Sequence, residues 1–304
     1  MSDDMHCGGR AGAPRPPARA TGGPAASGPI TGCRAIDSHA HVFRRGLPPS
    51  PDARYVPAYD AVPEAHAAML AAHGLCGGVL VQPSFLGTDN SYLLAALAAD
   101  RPLRRGIAVV PPDCPQDEMR ALAAQGIAGL RLNLVGRPDP DLAAPGWRDF
   151  LARAARCGFQ VEVQAPAARL PRLLAGLLAS DVPAVVVDHF GLPTRDLGAA
   201  DPGFQGLMDL AAHEPRLFLK LSAPYRLDGG DPLPLAQAAR AAFGAGRLMF
   251  GTDWPHTQHE AGADTADLLA LLARVFPAAE LRQVLLDTPA RLFGFTLPQM
   301  AEPA

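Results

Sequence analysis

Beyond residue 32 the chain repeats one pattern: a short run of apolar, often β-branched side chains, then Pro, Gly or polar residues, then an Ala/Leu-rich stretch with helical spacing. The apolar runs predict strands over 35–43, 78–84, 105–110, 129–134, 160–164, 184–189, 217–222 and 248–253. The stretches between them predict helices over 62–73, 90–99, 117–125, 147–157, 169–179, 204–213, 235–243 and 265–275. Asn90 stands where an N-cap belongs, and Gly126, Gly158 and Gly244 fall just past last turns. Eight alternating units predict an α/β fold, a single (β/α)₈ TIM barrel, which typically takes about 250 residues. A doubly wound open sheet is the competing arrangement. Its nucleotide-binding form is disfavoured, because no glycine-rich phosphate loop opens a helix.

Composition adds boundaries to this picture. Residues 1–32 are Gly, Pro, Ala and Arg with almost no large apolar side chain, so they are expected to be a disordered tail, with the barrel domain spanning 33–304. A net charge of −3 leaves no basic excess for nucleic-acid phosphates or an anionic membrane surface, so neither is expected as a partner. The five cysteines are odd in number, widely spaced and free of any C-x-x-C pair, which argues against a disulfide framework and a zinc ribbon. No apolar run approaches the roughly 18–20 residues that span a bilayer. With no secretory-type apolar core at the N-terminus, the expected location is the reducing cytoplasm.

In a TIM barrel the chemistry sits at the carboxyl ends of the strands. Those ends read His39 and His41, Gln82 and Ser84, Arg131 and Asn133, Glu162 and Gln164, Asp188 and His189, Lys220 and Ser222, and Asp253; only the third strand, running into Pro111, lacks a polar terminus. Period-two alternation puts Asp37, His39 and His41 on one face. Two such imidazoles can ligate a metal or polarise a carbonyl, or simply be hydrogen-bonded at a strand end. Asp253 can serve as general base for water, or cap the turn before Pro255. Trp147 and Phe150 have the spacing of a packed helix face, and His66 and His73 lie on a predicted helix away from the strand ends.

Four segments, Asp-Ser-His-Ala-His-Val-Phe from Asp37, Val-Asp-His-Phe-Gly from Val187, Gly-Thr-Asp-Trp-Pro-His from Gly251 and Thr-Pro-Ala-Arg-Leu-Phe-Gly-Phe from Thr288, together resemble the amidohydrolase-2 branch of the amidohydrolase superfamily. The resemblance runs from about Ala35 to Phe295. Within that branch the pattern is most similar to the 2-pyrone-4,6-dicarboxylate lactonases, on Tyr55, Ser84, Arg131, Arg137 and Arg226. It implies a hydrolase that opens a lactone ring, with Asp253 activating water and His39, His41 and His189 polarising the carbonyl. The five residues Tyr55, Ser84, Arg131, Arg137 and Arg226 would then hold a small anionic substrate.

The resemblance also implies no metal. Metal-dependent members of the superfamily add a His at the fifth strand, and binuclear ones a Lys or Glu bridging ligand at the fourth; here the fifth ends in Gln164, a poor zinc ligand, and the fourth carries Asn133 and Arg131, whose charge would repel a divalent cation. The alternatives on the same barrel are a zinc-dependent amidohydrolase or decarboxylase holding one zinc on His39, His41, His189 and Asp253, or a sugar-acid lactonase. A barrel that only binds acidic metabolites is disfavoured, because both the base and the His cluster are present.

Overall fold

The computed structural model describes residues 34–296; the expected tail over 1–32 lies outside the described residues. Eight parallel strands run in sequence order around one sheet: β1 (Ile36–Ala40), β2 (Gly77–Val81), β3 (Arg104–Ala108), β4 (Ile127–Asn133), β5 (Gln160–Gln164), β6 (Val185–Val187), β7 (Leu217–Ser222) and β8 (Leu248–Gly251). The helices that follow them are α1 (Pro63–Ala72), α2 (Ser91–Ala99), α3 (Gln116–Ala124), α4 (Pro145–Arg156), α5 (Leu170–Leu178), α6 (Pro202–His213), α7 (Pro232–Phe243) and α8 (Thr265–Val275). Every predicted element is present within a few residues of its expected span. Strand β8 returns to β1 through two short backbone bonds, Asp253 N to His39 O and His41 N to Trp254 O, both 2.7 Å, and these close the barrel. No helix among the described residues is long and apolar enough to cross a membrane.

Alternation along the strands sorts the core into two parts. Val161, Val163, Val185, Val187, Leu217, Leu219, Leu221, Leu248 and Phe250 pack outward in one cluster with helix residues such as Leu97, Phe150, Leu173, Leu207 and Leu235. The inward set begins with a separate apolar plug of Ile36, Val79, Val186, Phe218 and Met249. A C-terminal segment absent from the predicted elements seals this plug: α9 (Ala278–Arg282) leads into α10 (Thr288–Phe293), whose Ala290 and Phe293 join it with Phe295. Above the plug the inward positions turn polar, with Glu162, Lys220, Arg131 and Asp188 all buried.

Local expectations hold unevenly. Gly158 and Gly244 take positive φ of 71° and 64° after α4 and α7, a backbone region open to glycine without steric cost. Asn90 makes no cap; its amide donates to Thr88 O and Val109 O, and its Oδ1 accepts from Val109 N, tying the start of α2 to the strand end of β3. Side-chain caps come instead from Asp201, Asp231 and Asp264. Cys114 and Cys157 are free thiols, whereas Cys76 is disulfide-bonded, so the expectation of no disulfide does not hold there.

Asp37 departs from the expected facing. The pairing of β1 with β2 slips between Asp37 and Ala40, and the irregularity turns the Asp37 carboxylate away from His39 and His41. It accepts instead from Thr252 N at 2.8 Å and Thr252 Oγ1 at 2.6 Å, and meets His66 Nε2 of α1 at 3.2 Å. Asp37 thereby pins β8 and α1 to β1 just below the closing bonds. Asp37→Ala leaves these buried donors unpaired and is expected to lower unfolding stability by about 2–4 kcal/mol. Urea denaturation checks this, and a loss under about 1 kcal/mol would show that the pin is dispensable.

Candidate active site

The strand ends of β1, β6 and β8 deliver the centre. His39 closes the bulge of β1, His41 lies one residue past that strand, His189 follows β6, and Asp253 lies two residues past β8. Both of the last two hold left-handed backbone, φ 53° at His189 and 58° at Asp253, as does Phe190 at 54°. Such conformations are uncommon outside glycine and persist where the surroundings enforce them. Here they swing the side chains after β6 and β8 back over the barrel mouth.

Asp253 is fully buried and its two oxygens have different tasks. Oδ2 accepts from Tyr225 Oη at 2.7 Å and from Arg226 Nε at 2.8 Å. Oδ1 has no hydrogen-bond partner and faces three imidazoles: His41 Nε2 at 3.2 Å, His39 Nε2 at 3.6 Å and His189 Nε2 at 4.0 Å. Burial alone would raise this carboxyl, but the Arg226 charge and the surrounding histidines hold it well below the usual range, so it is ionised. Burial pushes His189 down to about 4 against the pull of Asp253, and burial with the Lys220 charge lowers His39 as well. Both imidazoles are neutral around pH 7.

Beneath His39 lies a second charged layer that the sequence reading placed at strand ends without assigning it a task. Lys220 Nζ donates to Glu162 Oε2 at 2.7 Å and stands 3.1 Å from His39 Nδ1 and 3.5 Å from Asp188 Oδ1, while His39 Nδ1 itself lies 3.3 Å from Asp188 Oδ1. Phe293 of α10 faces the same ammonium from 5.8 Å. Burial lifts Glu162 to about 7 in spite of Lys220. Burial also works against ionised Asp188, yet His39, Lys220 and Arg131 keep its carboxyl well below the ordinary value. The signal in the sequence was one charged residue per strand, at inward positions of three consecutive strands.

The expected substrate residues separate into two groups. Arg131 is buried, donating to Asp188 Oδ2 at 3.0 Å and Gln164 Oε1 at 2.7 Å, and Arg226 is tied to Asp253, so neither is a free fork. Arg137 is exposed, 3.7 Å from Asp52, and Ser84 Oγ donates to Tyr55 Oη at 3.5 Å. A cavity of about 740 Å³ is lined by Arg131, Asn133, Arg137, Val110, Pro111 and Trp147 among others, and none of His39, His41, His189 and Asp253 lines it. That size suits a small organic ligand. Arg131 joins its wall to the buried cluster. Ser84, Asn133 and Arg137 also line a smaller adjoining pocket of about 50 Å³. Two residues missed from sequence now stand out: Tyr225, which fixes Asp253, and Arg54, which lines both cavities.

Among the described residues two donor groups have metal-binding spacing, His39–His189–Asp253 and His39–Glu162–Asp188, each with its atoms within 4.8 Å of one another. The second already contains a cation, the Lys220 ammonium. The first fits an ion. His39 Nε2 and Asp253 Oδ1 are buried without partners. His41 donates its Nδ1–H to Val81 O at 2.8 Å, which leaves its Nε2 facing Asp253 Oδ1 from 3.2 Å. Two such atoms repel unless a proton or a cation lies between them.

Comparison with known proteins bears on the same question. The amidohydrolase family model matches residues 36–295. The 2-pyrone-4,6-dicarboxylate hydrolase of Comamonas testosteroni is 29% identical, over 85% of this chain and 90% of its own. A structure described as a probable 2-pyrone-4,6-dicarboxylic acid hydrolase of Acinetobacter baumannii, with citric acid bound, is 37% identical with a TM-score of 0.81, covering 86% of this chain and 100% of that one. An amidohydrolase of Burkholderia multivorans with bound zinc shares the fold at a TM-score of 0.73 and 24% identity, over 87% of this chain and 99% of that one.

The expectation of a metal-free centre is therefore overturned. Three donors converge on a metal-competent point, and the Burkholderia multivorans protein of this fold carries zinc. The fifth strand offers no histidine, but the turn after the sixth brings His189 within metal-binding distance of His39 and Asp253. Arg131, expected to repel a cation, is instead engaged by Asp188 and Gln164. With its family model spanning almost all of the described barrel, this chain belongs to the amidohydrolase family.

Proposed function

We propose that the protein hydrolyses the ring ester of a lactone bearing two acidic groups, with 2-pyrone-4,6-dicarboxylate as the leading substrate. The observation that carries this reading is Asp253, with one oxygen fixed by Tyr225 and Arg226 and the other bare among three histidines. The amidohydrolase relatives named for 2-pyrone-4,6-dicarboxylate support the choice of substrate. So does the concentration of arginines around the cavity, because a guanidinium matches a carboxylate bidentately.

Asp253 Oδ1 takes a proton from the attacking water, whose oxygen bonds to the lactone carbonyl carbon. The ring C–O bond then breaks with its electron pair on the leaving oxygen, which receives the proton held by Asp253, and the new carboxylic acid releases the second water proton to solvent as it becomes a carboxylate. His39, His41 and His189 face the region where the carbonyl oxygen develops charge. His39, His189 and Asp253 would hold a divalent cation, which would supply Lewis-acid polarisation there. Tyr225 and Arg226 hold the Asp253 carboxylate in one orientation, so its bare oxygen needs no reorganisation. Arg131, Arg137, Ser84 and Tyr55 position the acidic groups, and the apolar wall of Val110, Pro111 and Trp147 limits water.

Asp253→Asn is the direct test. Asn tolerates the left-handed backbone at this position, so the fold is expected to survive. Turnover of 2-pyrone-4,6-dicarboxylate, followed by loss of pyrone absorbance, is expected to fall by about 10²–10⁴-fold. Near-parental kcat in folded Asp253→Asn would refute the role of Asp253. A parent enzyme that opens uncharged sugar lactones in preference to the dicarboxylate would refute the substrate.

Metal content is measured independently of turnover. Protein expressed with zinc and desalted is expected to retain about one equivalent by elemental analysis, and His189→Ala to lose most of it. Equal metal content in parent and His189→Ala would refute this ligand set.

A further inference from the structure

The arginines around the cavity differ in what balances them. Arg131 is neutralised by Asp188, and Arg226 by Asp253. Arg137 has only a long 3.7 Å approach to Asp52, with both side chains exposed. Arg54, on the loop between β1 and α1, has no hydrogen bond or ion pair among the described residues, yet lines both the large cavity and its smaller neighbour. Partial burial and the like charges of Arg137, Arg131 and Arg226 depress its guanidinium, against the opposing influence of Tyr55.

Local packing explains why Arg54 is held there. Ser50 N donates to Phe85 O at 2.7 Å and Ala53 N to Ser50 O at 2.9 Å, which fastens the loop to the strand end of β2. Tyr55 packs on Phe85, with ring centroids 6.0 Å apart, in a small apolar cluster with Phe43 and Leu86. Arg54 instead lies across the mouth against Gly136, where an added Cβ would sit 3.4 Å from its Cδ. Gly136 immediately precedes Arg137, so two guanidinium groups from different loops share one rim, where Asp52, which lines the same two cavities and stands 3.7 Å from Arg137, is one carboxylate beside two cations.

We infer that Arg54 is a specificity-determining residue: with Arg137 it forms an outer clamp for the second acidic group of the substrate, the one farther from the ring ester. This inference rests on the reading of the site as a lactonase for a dianionic substrate. Holding two like charges at one rim is unfavourable without an anion between them, and a carboxylate there relieves the repulsion and pairs with both. The clamp selects dianionic over monoanionic lactones and raises the local concentration of anions at the mouth of a protein whose net charge is −3.

Arg54→Met keeps the length of the side chain and removes its charge, and since Arg54 makes no bond, folding is not at stake. The dicarboxylated pyrone is expected to show a KM raised about 10–100-fold with kcat within about threefold of the parent, and Arg54→Lys to recover part of that loss. A monocarboxylated pyrone is expected to change KM by less than about threefold. Citrate, an unreactive polycarboxylate, serves as a second probe by calorimetry, with its Kd expected to rise about tenfold in Arg54→Met. Equal changes for both pyrones, or unchanged KM and citrate affinity, would overturn the clamp. If the parent opens no pyrone at all, the lactonase reading fails on its own, and citrate affinity alone then decides whether the clamp exists.

Discussion

The Lys220 ammonium, buried in the middle of the barrel, is the constraint on which the rest depends. An unpaired charge at that depth costs several kcal/mol, so every neighbour is committed to balancing it. Glu162 and Asp188 provide the negative charge, His39 Nδ1 packs 3.1 Å from the ammonium, and Phe293 closes the space from the C-terminal side of the fold. Arg131 then bonds the remaining oxygen of Asp188. Each link fixes one side chain of the catalytic layer from behind. The layer is nearly neutral by itself.

The barrel was legible in the sequence because its signal is local. Strands and helices follow periodicities of two and 3.6, and eight repetitions reinforce one another. His39, His41, His189 and Asp253 were legible for a related reason, since a barrel places strand-end side chains in a common mouth. What the sequence could not display was pairing between distant strands. Lys220 and Glu162 lie 58 positions apart, and nothing near either residue marks the partner. Alternation also failed at Asp37, because a bulge cannot be read from a run of five residues. The missed seal of α9 and α10 has another cause: its apolar residues serve the plug beneath the barrel and follow no strand.

The metal question turned on the same distinction. Counting ligands strand by strand looks for donors at fixed topological positions, whereas a left-handed residue after β6 brings the His189 ring to a point that no strand position occupies. The positive charge of Arg131 likewise looked hostile to a cation only while its partners were unknown. In both cases the identities of the residues were right and their contacts decided the outcome.

The two bonds that close the barrel join the backbones of the very residues that form the centre, His39 to Asp253 and His41 to Trp254. Just below them Asp37 and Thr252 meet across 215 positions of chain. Contacts this distant carry a large loop-closure entropy and form late as a chain folds. The carboxylate therefore meets His39 and His41 only when the first and last strands join. A folding intermediate in which earlier βα units have already docked is a scaffold without a reaction centre, and the appearance of hydrolysis reports that the ring of strands is complete.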